Sequence, residues 1–457
     1  MRLYRSFVFL VSCVAALVLC HTGGAVERGF TDKFCIDPPH DKLCPQLPFD
    51  QADFSRDFSY MLIEKGAQDP FDVFAWQAFV ALNWPSDRSG NPLQAAIGAR
   101  PDAPRVWQSF VRRDALFAPD PALYNCGENL HADTVLVGDM EQSDGTVLVD
   151  RSGNLVVYST FANHMVSGFV RKNRLDKASS QSAFTKTRKI AFPQGQLPNP
   201  SAGTKGTVPS VTLKMAWRIL DAAETGNAPF FTRSGVVYVP AKRSLSGKPL
   251  CARVTLGLVG MHIALRTESG NGDEWIWATF EHIDNAPLAA NARNVNSIYA
   301  DDLFPGGCTT PAVAPAQTYS FFNGACIDCK TNTPTLSDWR WAESPPHARR
   351  ADGGQARSTQ AVRCWEVFES TAAVNDLWSG KLKGSVWENY MLISAQWRGA
   401  EISPLFEHGE APRYLTNLTL ETYQQTANDG TWLGCHATAR TASGVPADFV
   451  FMLQRAN

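Results

Sequence analysis

The residue pair with the clearest chemistry is Cys435-His436, which ends the pentapeptide Trp432-Leu-Gly-Cys-His. A c-type haem is attached at Cys-x-x-Cys-His, where two thiols add to the haem vinyl groups and the histidine becomes the proximal iron ligand. Here Trp432 stands at the first cysteine position, so one thiol and the histidine are retained. One thioether from Cys435 and an axial bond from His436 would still hold haem c, and both are therefore candidate haem-binding residues.

Two histidines further upstream, His262 and His282, are candidate distal ligands for such an iron. Both lie in segments whose apolar residues follow a strand pattern, so each side chain should point inward. The residues expected to share a face with His262 are Leu256, Leu258 and Ala264, and those expected with His282 are Ile276, Ala278 and Phe280. We place His262 first and His282 second. The alternative is that both are ordinary core histidines with one hydrogen bond each.

The two histidines are not expected to bind one iron together. If their strands meet through the turn near Gly270, His282 lies opposite about Val259. His262 is then some three residues further along the sheet, a distance of roughly 10 Å. The same alternation places Glu281 on the opposite face from His282, so the two do not form a ready-made metal chelate.

A second cysteine motif is Cys326-Ile-Asp-Cys329-Lys330. Its last residue makes it similar to the lysine-ligated haem site of cytochrome c nitrite reductases, but that family also carries several Cys-x-x-Cys-His sites, which this chain lacks. A reversible redox disulfide is one interpretation, and structural disulfides within an exported loop are the plainer one. Zinc-protease, nucleophile-elbow and phosphate-loop motifs are absent from the sequence, so whether the protein is an enzyme stays open.

The N-terminus has the pattern of a secretory signal peptide over residues 1–25. Arg2 and Arg5 precede an apolar run from Phe7 to Cys20, and small residues follow it. We therefore expect a periplasmic or secreted protein. No other stretch reaches the ~20 apolar residues of a membrane span, so no transmembrane segment is predicted in the mature chain. The formal net charge of −2 argues against nucleic acid as a partner.

The number of cysteines singles out Cys435. The chain has 11 cysteines, and the two at positions 13 and 20 would leave with the signal peptide. An exported protein should pair its thiols, but the nine that remain are an odd number. Cys435 is the natural odd one out, and the other eight could form four disulfides. Cys35 and Cys44 are an easy local pair, whereas the other pairings cannot be assigned from the sequence.

Hydrophobic periodicity predicts a mixed chain. Apolar residues at helical spacing predict a buried helix over 72–84, and a second helix is predicted over 386–396 with Ser385 as its N-cap. Strand patterns predict a hairpin over 147–158 and strands over 211–220, 235–239, 252–266 and 275–283. Residues 300–360 lack a regular pattern, and 417–425 form another short element. The expected fold class is α+β, an antiparallel β-rich body with peripheral helices and long disulfide-pinned loops.

We expect a single large domain over residues 26–457. Its segments would be helix-rich 26–140, β-rich 141–300, the loop region 301–361 and a C-terminal helical segment 362–457 that carries the haem-like site. Only 21 residues follow His436, too few for a self-contained cytochrome domain, so a haem would lie against the upstream body. Met452 could supply a distal ligand, but on a strand it alternates as a plain core residue.

The chain resembles exported bacterial proteins usually called cytochrome c family proteins, whose function is poorly defined. The matching segments cover most of the mature chain: residues 74–85, 216–220, 257–263, 275–285, 329 with 332–334, 415–423, and Cys435-His436 followed by 447–451. In that family the C-terminal site is similar to Cys-x-x-Cys-His, and this chain departs from it at Trp432. The resemblance implies haem c and electron transfer with an unknown redox partner. The alternative is a disulfide-stabilised periplasmic binding or structural protein that has lost haem.

Overall fold

The structure is a computed structural model. It describes residues 43–50, 68–117, 126, 134–226, 229–268, 275–293, 307–311, 317–326, 329–398, 410–411, 415, 417–425 and 432–457. The predicted signal peptide and Cys35 lie outside these residues.

Helices are few and short in the described ranges. The α-helices are α1 (Asp69–Leu82), α2 (Arg113–Phe117), α3 (His164–Lys172), α4 (Ala178–Thr185), α5 (Glu369–Leu382) and α6 (Trp432–Ala437). The strands are β1 (Val111–Arg112), β2 (Val135–Val137), β3 (Val157–Ala162), β4 (Ser210–Leu220), β5 (Thr232–Val239), β6 (Leu250–Arg266), β7 (Trp275–His282), β8 (Leu288–Arg293), β9 (Trp339–Trp341), β10 (Ala348–Arg350), β11 (Arg363–Trp365), β12 (Tyr390–Arg398) and β13 (Glu410–Ala411). None of the described helices combines the length and apolar character that a membrane span requires.

A large, mostly antiparallel sheet organises the described chain. Nine strands belong to it, in the order β1-β3-β4-β6-β7-β12-β13, with β5 paired to β6 and β2 paired to β5. The 17-residue β6 is its central element, because it pairs with β4, β5 and β7 along different parts of its length. The four strands predicted between residues 211 and 283 are all present, and β6 and β7 are antiparallel neighbours as predicted.

One face of the sheet packs on α1. All 14 residues of α1 are buried, and its Trp76 and Phe79 contact Phe280 of β7 with ring centroids 4.9 and 4.3 Å apart. Burial on every side agrees with the predicted buried helix over 72–84. It also makes α1 a central element of the core, whereas we expected helices at the periphery.

The helix predicted over 386–396 is wrong. The chain forms a short 3₁₀ helix at Val386–Asn389 and then enters β12, which pairs antiparallel with β7. Ser385 does not cap a helix, because its hydroxyl donates to the carbonyl of Leu382. The open edge of β7 supplies main-chain partners to this apolar segment, and such pairing overrides a helical period in a short run.

A β-bulge in β6 decides which residues face which side of the sheet. Ala216 of β4 pairs with Gly260, but the next residue, Trp217, pairs with Leu258, so Val259 is an extra residue in β6. A bulge reverses the alternation of side chains beyond it. We expected His262 to share a face with Leu256 and Leu258, and the bulge makes this prediction wrong. Those two leucines pack into the α1 core, and His262 lies on the other face, which Ala264 shares.

Disulfides pin the loops. Cys126 bonds to Cys251, Cys308 to Cys364, and Cys326 to Cys329. Cys44 is also disulfide-bonded, and Cys35, its predicted partner, lies outside the described residues. Cys435 is a thiol, which agrees with the interpretation of the odd cysteine count.

Candidate functional site

A cavity of about 480 Å³ lies on the face of the sheet opposite α1. Its floor is formed by β3, β4, β6 and β7, and the C-terminal segment 432–457 forms one of its walls. We call it the His436 pocket. Its lining includes Cys435, His436 and His262 from the predicted site, together with Lys214, Trp277 and Met452. The fold thus brings three of the four predicted site residues to one cavity.

His436 is held in the form that a metal ligand needs. Its Nδ1 lies 2.7 Å from the main-chain oxygen of Phe449 and must donate, because a carbonyl only accepts. The ring packs against Trp277 and Phe451, with ring centroids 4.0 and 4.8 Å away. Burial lowers the pKa of His436 to about 4, so the ring is neutral near pH 7. Its lone pair is therefore on Nε2, to which the described residues offer no hydrogen bond.

The carbonyl that orients His436 lies in an unusual stretch of main chain. Asp448 and Phe449 are consecutive non-glycine residues with positive φ values of 48° and 63°. This left-handed region is unfavourable for residues with a Cβ and is retained where the surrounding structure imposes it. The Asp448 carboxylate supplies the anchor, because its Oδ2 lies 3.1 Å from Arg266 Nε and accepts from Phe192 N at 2.7 Å. The sheet thereby fixes the position of the Phe449 oxygen.

Cys435 stands beside His436 in the short helix α6, and its side chain is exposed. It lines the same pocket as the histidine, so the thiol and the imidazole can reach one ligand. The side chain of Trp432, at the position of the missing cysteine, is outside what the structure describes.

His262 reaches the pocket because of the bulge at Val259. Its Nε2 lies 2.7 Å from Oε1 of Glu421, and both side chains are largely buried. Burial alone would raise the pKa of Glu421, but the charges of His262 and Lys214 outweigh this effect and lower it. Nε2 of His262 is thus committed to a carboxylate in this structure.

His282 lies elsewhere, at the end of β7. Its Nε2 donates to the oxygen of Pro229 at 3.1 Å, and its Nδ1 accepts from Asp284 N at 3.1 Å. The ring packs on Phe230, and burial lowers the pKa of His282 to about 4. Both ring nitrogens have protein partners, so His282 has the contacts of a core histidine. The register of β6 and β7 agrees with the prediction, since Gly260 pairs with Glu281, the residue before His282.

Sequence reasoning missed three polar residues of the pocket floor: Lys214, Thr160 and Thr212. A signal was present, because Thr212 and Lys214 interrupt β4 at every second position. It was overlooked because the strand was interpreted only as a core element. The second cysteine motif is not among the residues that line this pocket, and its two cysteines bond to each other.

The residues of the His436 pocket fit a haem better than a bare metal ion. No group of three or more His, Cys, Asp or Glu side chains in the described ranges could hold a metal on its own. A haem brings four nitrogen ligands and asks the protein for one axial donor and an apolar wall. His436 offers the donor, Trp277 and Phe451 offer aromatic surface, and Cys435 offers a thiol.

Comparison of this chain with family models, curated proteins and solved structures gives no match.

Proposed function

We propose that this protein is an exported haem-binding protein that acts in electron transfer. His436 is the proximal ligand, and Cys435 is the single covalent tether. The observation that carries the proposal is the bond from His436 Nδ1 to the Phe449 oxygen, together with a neutral ring and Nε2 without a hydrogen-bond partner among the described residues. In a metal-ligating histidine, a hydrogen bond from the ring nitrogen that does not bind the metal fixes the tautomer and raises the basicity of the other nitrogen.

The strained turn at Asp448 and Phe449 supports the same proposal. A positive φ at two consecutive non-glycine residues costs free energy, of order 1–3 kcal/mol for each residue. Such strain tends to persist where it serves a site, and here it points a carbonyl at His436. His262 is the distal candidate that lines the pocket, and its ligation would require the Nε2 contact with Glu421 to be released. The disulfides and the lack of a described membrane-spanning helix are compatible with an exported protein.

The decisive experiment is expression of the full chain in a host that has haem-maturation machinery. We expect a haemochrome spectrum of c type in pyridine and an intact mass raised by one haem. Cys435→Ser should abolish the mass increase. His436→Ala should change the axial-ligand spectrum, and His164→Ala, at an exposed histidine on α3, is the matched control. The absence of a Soret band, with the mass of the processed polypeptide alone, would refute haem attachment.

The acidity of His436 gives a second readout in the haem-free protein. Because burial lowers the pKa of His436 to about 4, its imidazole should stay neutral between pH 8 and pH 5 in an NMR titration. A midpoint near pH 6.5, the ordinary histidine value, would contradict the buried environment of His436.

The competing function is a periplasmic binding protein without haem. It is favoured by one observation, the polar side chains of Lys214, Thr160 and Thr212 on the floor of the pocket. The same preparation separates the two functions, because a binding protein of this kind would be recovered without haem from the maturation-competent host.

A further inference from the structure

The floor of the His436 pocket contains a row of four polar side chains, and the haem proposal uses only one of them, His262. In the antiparallel register, Thr160 of β3 pairs with Lys214 of β4, and Lys214 pairs with His262 of β6. Directly paired residues on neighbouring strands present their side chains on the same face of the sheet. Thr212 precedes Lys214 by two positions on β4 and so shares this face. All four residues line the pocket.

Three of these side chains have donor capacity that the protein does not use. The Lys214 ammonium and the hydroxyls of Thr160 and Thr212 form no side-chain hydrogen bond or ion pair with any residue that the structure describes. Lys214 Nζ lies 5.4 Å from the centroid of the Tyr158 ring, a cation–π contact that satisfies none of its three N–H donors.

The acidic residues near Lys214 already have partners. Glu421 accepts from Asn417 N at 3.2 Å through Oε2, and its Oε1 contacts His262 at 2.7 Å. Asp139, on the other side of the pocket, is bound by Arg113. The protein therefore presents one ammonium group and two hydroxyls on the pocket floor, while the nearby carboxylates are bonded to other groups. Donors that line a cavity and have no protein partner are available to a ligand.

We propose that Lys214, Thr160 and Thr212 form a binding subsite for a small oxyanion. The ligand is the carboxylate of an organic acid or an inorganic oxyanion of similar size. One cation and two hydroxyls can together donate to two oxygens of such a group, and bonds in which both charges take part are the strongest of these. The subsite does not depend on the proposed haem, although it opens into the same cavity. A carboxylate of that haem would satisfy the same chemistry.

The test is calorimetric titration of the full mature chain with acetate and with inorganic phosphate, at constant ionic strength set by chloride. The haem-free protein is used first. We expect saturable binding of at least one probe. Lys214→Met should weaken it by about tenfold or more, since hydrogen bonds to a charged group contribute about 1.5–3 kcal/mol. Thr160→Val should weaken it by a smaller factor. Lys214→Arg, which keeps the charge, should retain measurable binding.

Lys248→Met removes an exposed lysine outside the pocket and is the matched control for charge. Two outcomes would overturn the subsite: no saturable binding of either probe, or equal affinity in the wild type and Lys214→Met. A structural role of Lys214 is tested separately by the unfolding midpoint of Lys214→Met, which should stay within a few degrees of the wild type.

Titration of haem-loaded protein shows whether haem and a free acid compete for the cavity. If loading abolishes acetate binding but Lys214→Met does not change the haem-loaded protein's spectrum, the haem covers the subsite. If binding persists, the subsite serves a free acid. The two proposals fail separately, because a chain that never acquires haem but binds acetate through Lys214 would refute only the haem proposal.

Discussion

Replacing Gly260 with alanine should push the segment that carries Glu421 away from the sheet. Gly260 lies just beyond the bulge in β6, where the loop 417–425 packs directly on the strand. A Cβ built at Gly260 would lie 2.0 Å from Thr419 Oγ1 and 3.0 Å from Asn417 Oδ1. The backbone fixes the position of an alanine Cβ, which cannot rotate away from a contact of 2.0 Å. Thr419 or the loop must therefore move.

The magnitude follows from overpacking. Inserting a methyl group into a well-packed interior costs about 1–3 kcal/mol. Thr419→Ala alone should cost about 1 kcal/mol, because it removes the hydroxyl that donates to Asn417 Oδ1 at 2.7 Å. If the clash dominates, the double variant Gly260→Ala/Thr419→Ala should be less destabilised than the sum of the two single variants. We expect a coupling energy of about 1 kcal/mol or more in favour of the double variant.

The assay is urea unfolding followed by tryptophan fluorescence, with disulfides intact. Gly168→Ala is the matched control, because nothing lies within 4 Å of a Cβ built there and the position is exposed on α3. That change should be neutral or stabilising by about 0.5–1 kcal/mol, as expected for glycine replaced inside a helix. A loss below about 0.5 kcal/mol in Gly260→Ala, or strict additivity in the double variant, would refute the close approach of the loop to β6.

Three further predictions concern the buried polar groups and the disulfides. Burial raises the pKa of Asp72 to about 7, so this residue's contribution to stability is full below pH 4 and is lost as the pH rises towards 7. The wild type should lose up to about 4 kcal/mol of unfolding free energy between pH 4 and pH 8 that Asp72→Asn does not lose. The two pH profiles should therefore diverge, and parallel profiles would contradict this prediction. Arg363→Met leaves the fully buried Glu281 without its cation at 2.8 Å and should cost about 3–5 kcal/mol in chemical denaturation. Most of this loss should be recovered when Glu281→Gln is added, because glutamine is uncharged and keeps an acceptor for Leu418 N. Replacing Cys126 and Cys251 by serine opens a loop of sequence separation 125 and should cost about 2–5 kcal/mol, with an unchanged midpoint as the disproving result.

The sequence was sufficient for the elements whose burial pattern is uniform. The buried helix α1 and the strands β4 to β7 could be predicted because each is rich in apolar residues over most of its length. The prediction for the β12 segment was wrong because this segment lacks such a long apolar pattern. Its apolar run is short, and only the free edge of β7 decides between helix and strand.

Within the candidate site, the sequence could identify Cys435 and His436 by their chemistry and set Cys435 apart by the parity of the cysteines. It could not place His262 correctly, because a bulge at Val259 is an irregularity of strand pairing and leaves no period in the sequence. His282 has the same residue type and a similar apolar context, and only its hydrogen bonds to Pro229 and Asp284 N distinguish it from a ligand.

The sequence by itself determined the list of reactive groups: one thiol set apart by an odd count, one adjacent histidine, and strands rich enough in apolar residues to bury a core. The tertiary structure decided which of these groups meet. The His436 pocket exists because β-strand register sets Lys214 beside His262, and because a strained turn aims the Phe449 oxygen at His436. Register and main-chain direction depend on contacts between residues far apart in the chain, and for that physical reason local residue patterns do not encode them.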